Sequence, residues 1–529
     1  MAGLNIYSPD WRAWRDPAIP DSFNPTDILF ARGAPAKTAL WVDEAAYSYA
    51  DLLAATCRAA HGLTALGLEP ENRILFFGND SFDYIALWLG CVRAGIVPAV
   101  VSDQYKADGL LYFLADTAAK ALVIDDEQLP KLDEIMAKLP ATLRHIVKRS
   151  EVAALTAAKP STFAPVPRHA NDMAYMFYSG GTTGTAKGIV HLAHDFVLIP
   201  ARQGAFWDYA ADDLVHATSK KYFTHGLWPG VLIPLAYGAT SVISRLPPTP
   251  DNVCRTVAAR RVTKLITVPT IVKNLMLHAE TAKPDFSSVK LAITASEKMP
   301  PEIFAGFHTT FGVELHDSIG SSEITYEWIA NRPREFRRGS LGKPVFGYEV
   351  KLMDGEGREV ATPDTDGEAW IKSATACFYY WRKFDRTKET FVGPWTRTGD
   401  TLRFDKDGFF WFSGRADDVF KVKGLWVSPI EVEAAITDHP AVLEAAVIGV
   451  PDGDGLTKPK AFVVLRPGNS PSDALSETLR ANVRKVGGYK VPQEIAYVAA
   501  LPRTTLLKID RRALREAERG ATIPAHPRS

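Results

Sequence analysis

Cysteine is scarce in this chain. Four thiols, Cys57, Cys91, Cys254 and Cys377, are spread over 529 residues, and no two form a CxxC pair. Such spacing excludes a zinc ribbon or a dense disulfide framework and fits buried small hydrophobes in a reducing compartment. An excess of one charge is missing too. Lysine plus arginine equals aspartate plus glutamate at 61 each, so no global field points to nucleic acid or an anionic membrane. No apolar run reaches the roughly 18 residues that a spanning helix needs. Met1 to Pro20 holds two tryptophans, charges and prolines, and lacks the apolar core of a secretion signal. No internal repeat or low-complexity tract interrupts the sequence. What remains is a cytoplasmic, enzyme-sized protein, 46% hydrophobic and 23% charged. It is too long for one core and is expected to divide into two or more domains.

The segment Tyr178-Ser179-Gly180-Gly181-Thr182-Thr183-Gly184-Thr185-Ala186-Lys187-Gly188 carries the most information. Four glycines and three threonines in eleven residues make a loop that bends sharply and lets its backbone approach a ligand closely. Its N–H groups, hydroxyls and lysine suit a polyanion. The apolar run from Met173 to Tyr178 reads as a buried strand feeding that loop. A Walker A loop wants Gly directly before the lysine and Ser or Thr after it, whereas Lys187 lies between Ala186 and Gly188. The loop is therefore expected to hold a nucleotide triphosphate by another route.

Short apolar strands alternate with helical patterns through the first 400 residues: Arg73 to Gly78 before a helix from Phe82 to Ala94, then Ala121 to Ile124, Leu265 to Val268 and Leu291 to Thr294. That alternation predicts an α/β fold with mostly parallel sheets. After about residue 340 the strands shorten between Gly and Asp turns. Ser428-Pro429-Ile430-Glu431 reads as a capping box that opens a helix to about Asp438. Strands are expected at Ala445 to Val450, Ala461 to Leu465 and Glu494 to Ala499, a helix at Asp473 to Val486, and a last helix capped by Asp510. The expected division is 1–416, a large domain of several subdomains, and 417–529, a small mobile α+β domain.

Three further segments carry chemistry. His316-Asp317-Ser318-Ile319-Gly320-Ser321-Ser322-Glu323 ends a β-like run in a glycine turn. Its Glu323 is a candidate Mg²⁺ ligand, or else a carboxylate placed for a helix dipole. Trp395 to Asp400 places an aspartate after a tight turn, where it can accept from both ribose hydroxyls or else serve as a turn Asx residue. Gly414 to Gly424 is dense in charge at the expected domain junction and suits a hinge.

Taken in order, these segments resemble the adenylate-forming superfamily of acyl-CoA synthetases, adenylation domains and luciferases, over essentially the whole chain. The benzoate-CoA ligase group is the nearest resemblance. It is carried by Ile319 to Glu323, Gly342 to Val350, Val427 to Glu433, His439 to Ala446 and Gly455 to Ala461. The resemblance implies ATP, Mg²⁺ and coenzyme A, with an aryl carboxylate as the acid. It assigns Ser179, Gly180, Gly181, Thr182, Thr183, Gly184 and Lys187 to the phosphates, and Glu323 with Ser322 to the metal and nucleotide. Ala295, Ser296, Glu297, His316 and Asp317 would line the adenine pocket, and Asp400 and Arg415 would hold the ribose. Tyr222, Phe223, His225, Ile319, Gly320, Thr325 and Tyr326 would surround the acyl group. Asp417 would be the hinge and Gly424 would border the CoA channel. Lys508 would be the catalytic lysine, although Leu507 stands where the superfamily normally has glycine. The thiol acceptor is read as free CoA, with a carrier-protein phosphopantetheine as the alternative and a non-catalytic nucleotide-binding protein as the rival of another class. Neither nucleic acid nor membrane is expected as a partner, and a homodimer is left open.

Overall fold

The computed structural model describes residues 14–179, 186–295, 299, 301–415, 418, 420–422, 425–451, 456–503 and 509–518. Gly180, Gly181, Thr182, Thr183, Gly184, Ser296, Glu297, Asp417, Gly424 and Lys508 lie outside them. Of the described residues, those up to Ser179, with those within 187–350 and 371–397, pack as one compact unit; those within 351–370 and from Thr398 onward pack as a second.

Two large sheets organise the first unit. One has seven strands, ordered Tyr379–Tyr380, Lys187–Leu192, Met173–Ser179, Val97–Val100, Arg73–Phe77, Ala121–Ile124 and His145–Lys148. From Met173–Ser179 onward every neighbour is parallel. The other has nine strands, with a parallel centre running through Leu315–Gly320, Leu291–Thr294, Lys264–Thr267, Leu214–Ala217, Thr240–Ile243 and Thr38–Val42. Parallel strands covered on both faces need apolar residues at every position, which is why runs such as Ile74-Leu75-Phe76-Phe77 are buried throughout. The helix Phe82–Arg93 follows one of them and is capped by Ser81, whose hydroxyl accepts from Tyr84 N.

The second unit holds a three-stranded sheet of Val442–Pro451, Thr457–Leu465 and Glu494–Tyr497. Its two faces separate by the period-two rule of a strand. Ala445, Val447, Ala461 and Val463 pack against Val432, Ile436, Leu479 and Val483 of two helices, Pro429–Thr437 and Asp473–Val486. Ala446, Ile448, Phe462 and Val464 face Leu501 and Leu514 instead. Both long strands exceed their sequence-based bounds, because the hairpin pairs from Val442 opposite Leu465 to Pro451 opposite Thr457. Lys458, Pro459 and Lys460 masked the second one as a strand.

Two local expectations are corrected. Ser428 is the N-cap of Pro429–Thr437, but its side chain makes no capping hydrogen bond. The hydroxyl donates to the Ser413 carbonyl instead, and Glu431 pairs with Lys490 at 2.6 Å. Asp400 does not follow a tight turn either. It lies inside the ten-residue strand Trp395–Phe404, just after Gly399 at φ +68°.

All four cysteines are buried and free, as their scattering predicted. Among the described residues no helix is long and apolar enough to cross a membrane.

Candidate active site

Strands Met173–Ser179 and Lys187–Leu192 are antiparallel neighbours with Lys187 opposite Ser179, so both ends of the Gly/Thr loop are fixed by one ladder. The Lys187 ammonium sits 4.5 Å from the Tyr380 ring centroid and 3.5 Å from its hydroxyl. That hydroxyl donates to Glu323 Oε1 at 2.8 Å. Burial, and then the neighbouring Glu323, push the Tyr380 phenol far above its ordinary range, so it remains a donor. Lys187 and Glu323 thus converge on one tyrosine. Tyr380 was not read from the sequence; its only local signal was the aromatic run Tyr379-Tyr380-Trp381.

Glu323 stands on the short turn Ser322–Ile324, and a buried network fixes that turn. His191 bridges Ser322 O (2.7 Å from Nε2) and Asp195 Oδ2 (3.0 Å from Nδ1). The same Asp195 oxygen accepts from the Tyr175 and Thr325 hydroxyls at 2.7 and 3.1 Å. Tyr175 stacks on the His191 ring at 4.9 Å. Thr325, which closes the turn, has φ +77°, a region that costs a β-branched residue about 1–3 kcal/mol. Its hydroxyl also reaches Thr375 O at 3.0 Å, so the polar end of Thr325 is committed to the turn.

The adenine candidates sit at neighbouring strand ends. Ala295 directly follows Leu291–Thr294, and Thr294 lies opposite Asp317. Burial lowers the His316 imidazole to about 4, and its Nδ1 has no hydrogen-bond partner among the described residues. Burial also raises the Asp317 carboxyl well above its usual range. An imidazole kept neutral by burial, with an open ring nitrogen, offers a hydrogen bond without charge, which suits a heterocyclic base.

The acyl candidates divide. Tyr222 is edge-on to Phe223 at 4.7 Å, and its hydroxyl is turned to Ser102 and Asp103. His225 and Tyr326 come together, ring centroids 5.9 Å apart. Ile319 and Gly320 lie on the adjacent strand, Gly320 opposite Glu327. A Cβ on Gly320 would stand 2.5 Å from Tyr326 O, so only glycine permits that approach.

Beside them is a carboxylate that sequence reasoning passed over. Glu327 is 1% exposed; its Oε1 accepts from Ser318 Oγ at 2.7 Å and its Oε2 from Trp207 Nε1 at 3.1 Å. Burial raises its pKa from 4.5 to about 7 against those donors. The folded chain therefore binds a proton between those values that the unfolded chain has released. This stabilisation is complete below pH 4.5 and is lost as pH rises through 7. At about 1.4 kcal/mol per pH unit it amounts to roughly 3 kcal/mol. Glu327→Gln should accordingly gain stability relative to the parent between pH 5 and 8, seen as diverging urea midpoints. Parallel midpoints across that range would contradict the assignment.

In the second unit, Arg415 Nη1 contacts Asp400 Oδ1 at 2.6 Å and Thr398 O at 3.2 Å, the two residues being cross-strand partners. A Cβ on Gly399 would meet Arg415 Nη2 at 2.9 Å. Arg511 joins Glu433 at 2.8 Å and Asp418 at 3.6 Å, and Arg515 also holds Asp418, at 3.1 Å. Asp418 directly follows the expected hinge residue, and Arg511 lies three positions beyond Lys508.

Residues 29–381 match the model of the AMP-binding enzymes, and residues 431–508 match the AMP-binding enzyme C-terminal domain. The chain is 35% identical to a benzoate–CoA ligase of Thauera aromatica, over 94% of this chain and 97% of the relative. It is 35% identical to a 4-hydroxybenzoate–CoA/benzoate–CoA ligase of Rhodopseudomonas palustris, over 93% of each. Among solved structures, an anthranilate CoA ligase in complex with anthranoyl-AMP superposes with a TM-score of 0.88 at 33% identity, covering 94% of this chain and 98% of that one.

Proposed function

The chain belongs to the AMP-binding enzyme family, and from that premise we propose that it is an ATP-dependent aryl carboxylate–CoA ligase working through an acyl adenylate. The observation that carries this reading is the convergence of Lys187 and Glu323 on Tyr380, in a chain that benzoate–CoA ligases match over 93–94% of its length.

In the first half-reaction a carboxylate oxygen of the acid attacks the α-phosphorus of ATP. The bond to the bridging oxygen breaks and pyrophosphate leaves, with AMP joined to the acyl group. In the second, the CoA thiol loses its proton and attacks the acyl carbon, AMP departs and a thioester remains. Carboxylate is a poor electrophile, and adenylation replaces a hopeless leaving group with a good one. Lys187 and the threonines of the loop would grip the phosphates, and Lys508 would neutralise charge growing on the α-phosphate. Asp400 and Arg415 would hold the ribose, and Asp417 would be the pivot between half-reactions.

Among the described residues no group of three metal-ligating side chains occurs. A cation here would thus rely on one carboxylate and phosphate oxygens, which is the habit of Mg²⁺. Glu323, oriented by Tyr380, fits that role. When bound, Mg²⁺ would screen the phosphate charge.

The test is a pyrophosphate-release assay over a panel of acids. Benzoate or a hydroxy- or aminobenzoate should exceed octanoate and acetate by at least about tenfold in kcat/KM. A preference for medium-chain aliphatic acids would overturn the aryl assignment.

A further inference from the structure

Trp14 and Asp16 reach the helix Asp195–Phe206 from the N-terminal segment. The Trp14 indole stacks on Phe346 with ring centroids 5.0 Å apart, and its Nε1 donates to Asp16 Oδ1 at 2.9 Å. Asp16 receives Arg202 in a forked pair, Nε on Oδ1 at 2.7 Å and Nη2 on Oδ2 at 2.5 Å. The Arg202 side chain is 2% exposed, and among the described residues Asp16 is the carboxylate it pairs with. Its third nitrogen, Nη1, donates to Ser373 Oγ at 2.7 Å. The Thr375 backbone N–H donates to the same oxygen at 3.1 Å. With both lone pairs used, the Ser373 hydrogen is directed to Thr375 Oγ1, 2.9 Å away. Thr375 Oγ1 lies 3.3 Å from the Ile324 carbonyl and 3.3 Å from the Tyr348 hydroxyl. A carbonyl only accepts, so the Thr375 hydrogen goes to Ile324 O. Two more bonds join the same segment to the same turn: Thr325 Oγ1 donates to Thr375 O at 3.0 Å, and Cys377 N donates to Glu323 O at 2.7 Å. The line of bonds that begins on Asp16 therefore ends on Glu323, Ile324 and Thr325.

We propose that Asp16 is a positioning residue for the metal side of the nucleotide site, acting through Arg202 and Ser373 on the turn that presents Glu323. The proposal rests on the reading of Glu323 as the Mg²⁺ carboxylate. Arg202 is a buried cation, and such a cation stays where its carboxylate is. A guanidinium is planar, so fixing Nε and Nη2 on Asp16 also fixes the direction of Nη1. Nη1 sets the Ser373 hydroxyl, and from there each hydrogen has one place to go. Thr325 holds φ +77° only while bonds of this kind outweigh its strain. A change at Asp16 thus reaches the Glu323 carboxylate without touching the acyl group or the base.

The experiment measures binding by calorimetry with no acid present: ATP with Mg²⁺, ATP with EDTA, and AMP. The factor by which Mg²⁺ tightens ATP isolates what the metal adds, and AMP reads the nucleotide site without it. Asp16→Ala should cut that factor about tenfold, as loss of a group behind a metal ligand does, and leave the Kd for AMP within about twofold. Ser373→Ala should do the same. It removes one hydroxyl and keeps the Asp16–Arg202 pair, so it carries the test if Asp16→Ala does not fold. The double variant should lose about tenfold and not about a hundredfold, because both changes cut one line of bonds. Losses that multiply would show two separate effects and overturn the proposal. Equal weakening of ATP and AMP would mean that Asp16 supports the fold alone. A large Mg²⁺ effect that neither substitution alters would also overturn the proposal and leave Glu323 standing as the metal carboxylate. If Mg²⁺ adds nothing to ATP binding by the unaltered protein, the reading of Glu323 falls and takes this one with it.

Discussion

Lys508→Ala should slow acyl-adenylate formation about 10²–10³-fold while the same protein still converts supplied acyl-AMP and CoA to thioester at nearly the parent rate. The argument is electrostatic. Charge develops on the α-phosphate as the carboxylate attacks, and a cation aimed there is worth most in the transition state. Thiol attack on the adenylate expels AMP and places no such demand on the same lysine. Following pyrophosphate release and thioester absorbance separately resolves the two steps. Equal loss in both, with the fold intact, would mean that Lys508 serves the site as a whole. Leu507 offers an internal comparison: if a freer backbone before the lysine speeds closure, Leu507→Gly should raise the first rate and spare the second.

The second large effect concerns a residue that no motif contains. Asp195 is 1% exposed, and its Oδ2 collects hydrogen bonds from Tyr175, His191 and Thr325. Asp195→Ala strands the Tyr175 hydroxyl and His191 Nδ1, while Thr325 keeps its bond to the Thr375 carbonyl. Each such group costs about 1–3 kcal/mol, and the sum should approach 3–5 kcal/mol of stability. The turn carrying Glu323 should suffer beyond that, because Thr325 holds its unfavourable backbone only while the network over-determines it. The KM for ATP·Mg²⁺ should therefore rise more than the KM for the acid. Asp195→Asn keeps one acceptor and should recover much of the stability. A uniform loss in both KM values, tracking unfolding alone, would deny the network any role in presenting Glu323.

Legibility from the sequence followed the range of the interaction. Buried parallel strands such as Arg73–Phe77, Ala121–Ile124 and Leu291–Thr294 announce themselves, because burial on both faces forces consecutive apolar residues. The helix Asp473–Val486 was legible for a similar reason, its apolar stripe repeating with the helical period. Contacts made by sheet pairing were not. Tyr380 meets Glu323 only because its strand adds to the Lys187–Leu192 edge. Glu327 meets His225 because its strand folds back on Leu315–Gly320. In a one-dimensional reading Glu327 was an ordinary strand residue, and its burial was invisible. The capping box at Ser428 failed for the opposite reason: the local pattern was sound, but the Ser413 carbonyl offered the hydroxyl a better partner.

The burial of every cysteine has a practical reach. Cys91 and Cys377 are fully enclosed, and their thiols are pushed well above the ordinary range by that enclosure; Cys254 is raised to about 11, and Cys57 is buried as well. Thiolate is the species that reacts with maleimides, so the native chain should be nearly silent to such reagents. One cysteine placed at exposed Leu443, and another at exposed Phe378, would then be the only sites a fluorophore could take. The enzyme is in effect already prepared for single-molecule optics, and its catalytic cycle can be watched without first stripping the sequence of its own sulfur.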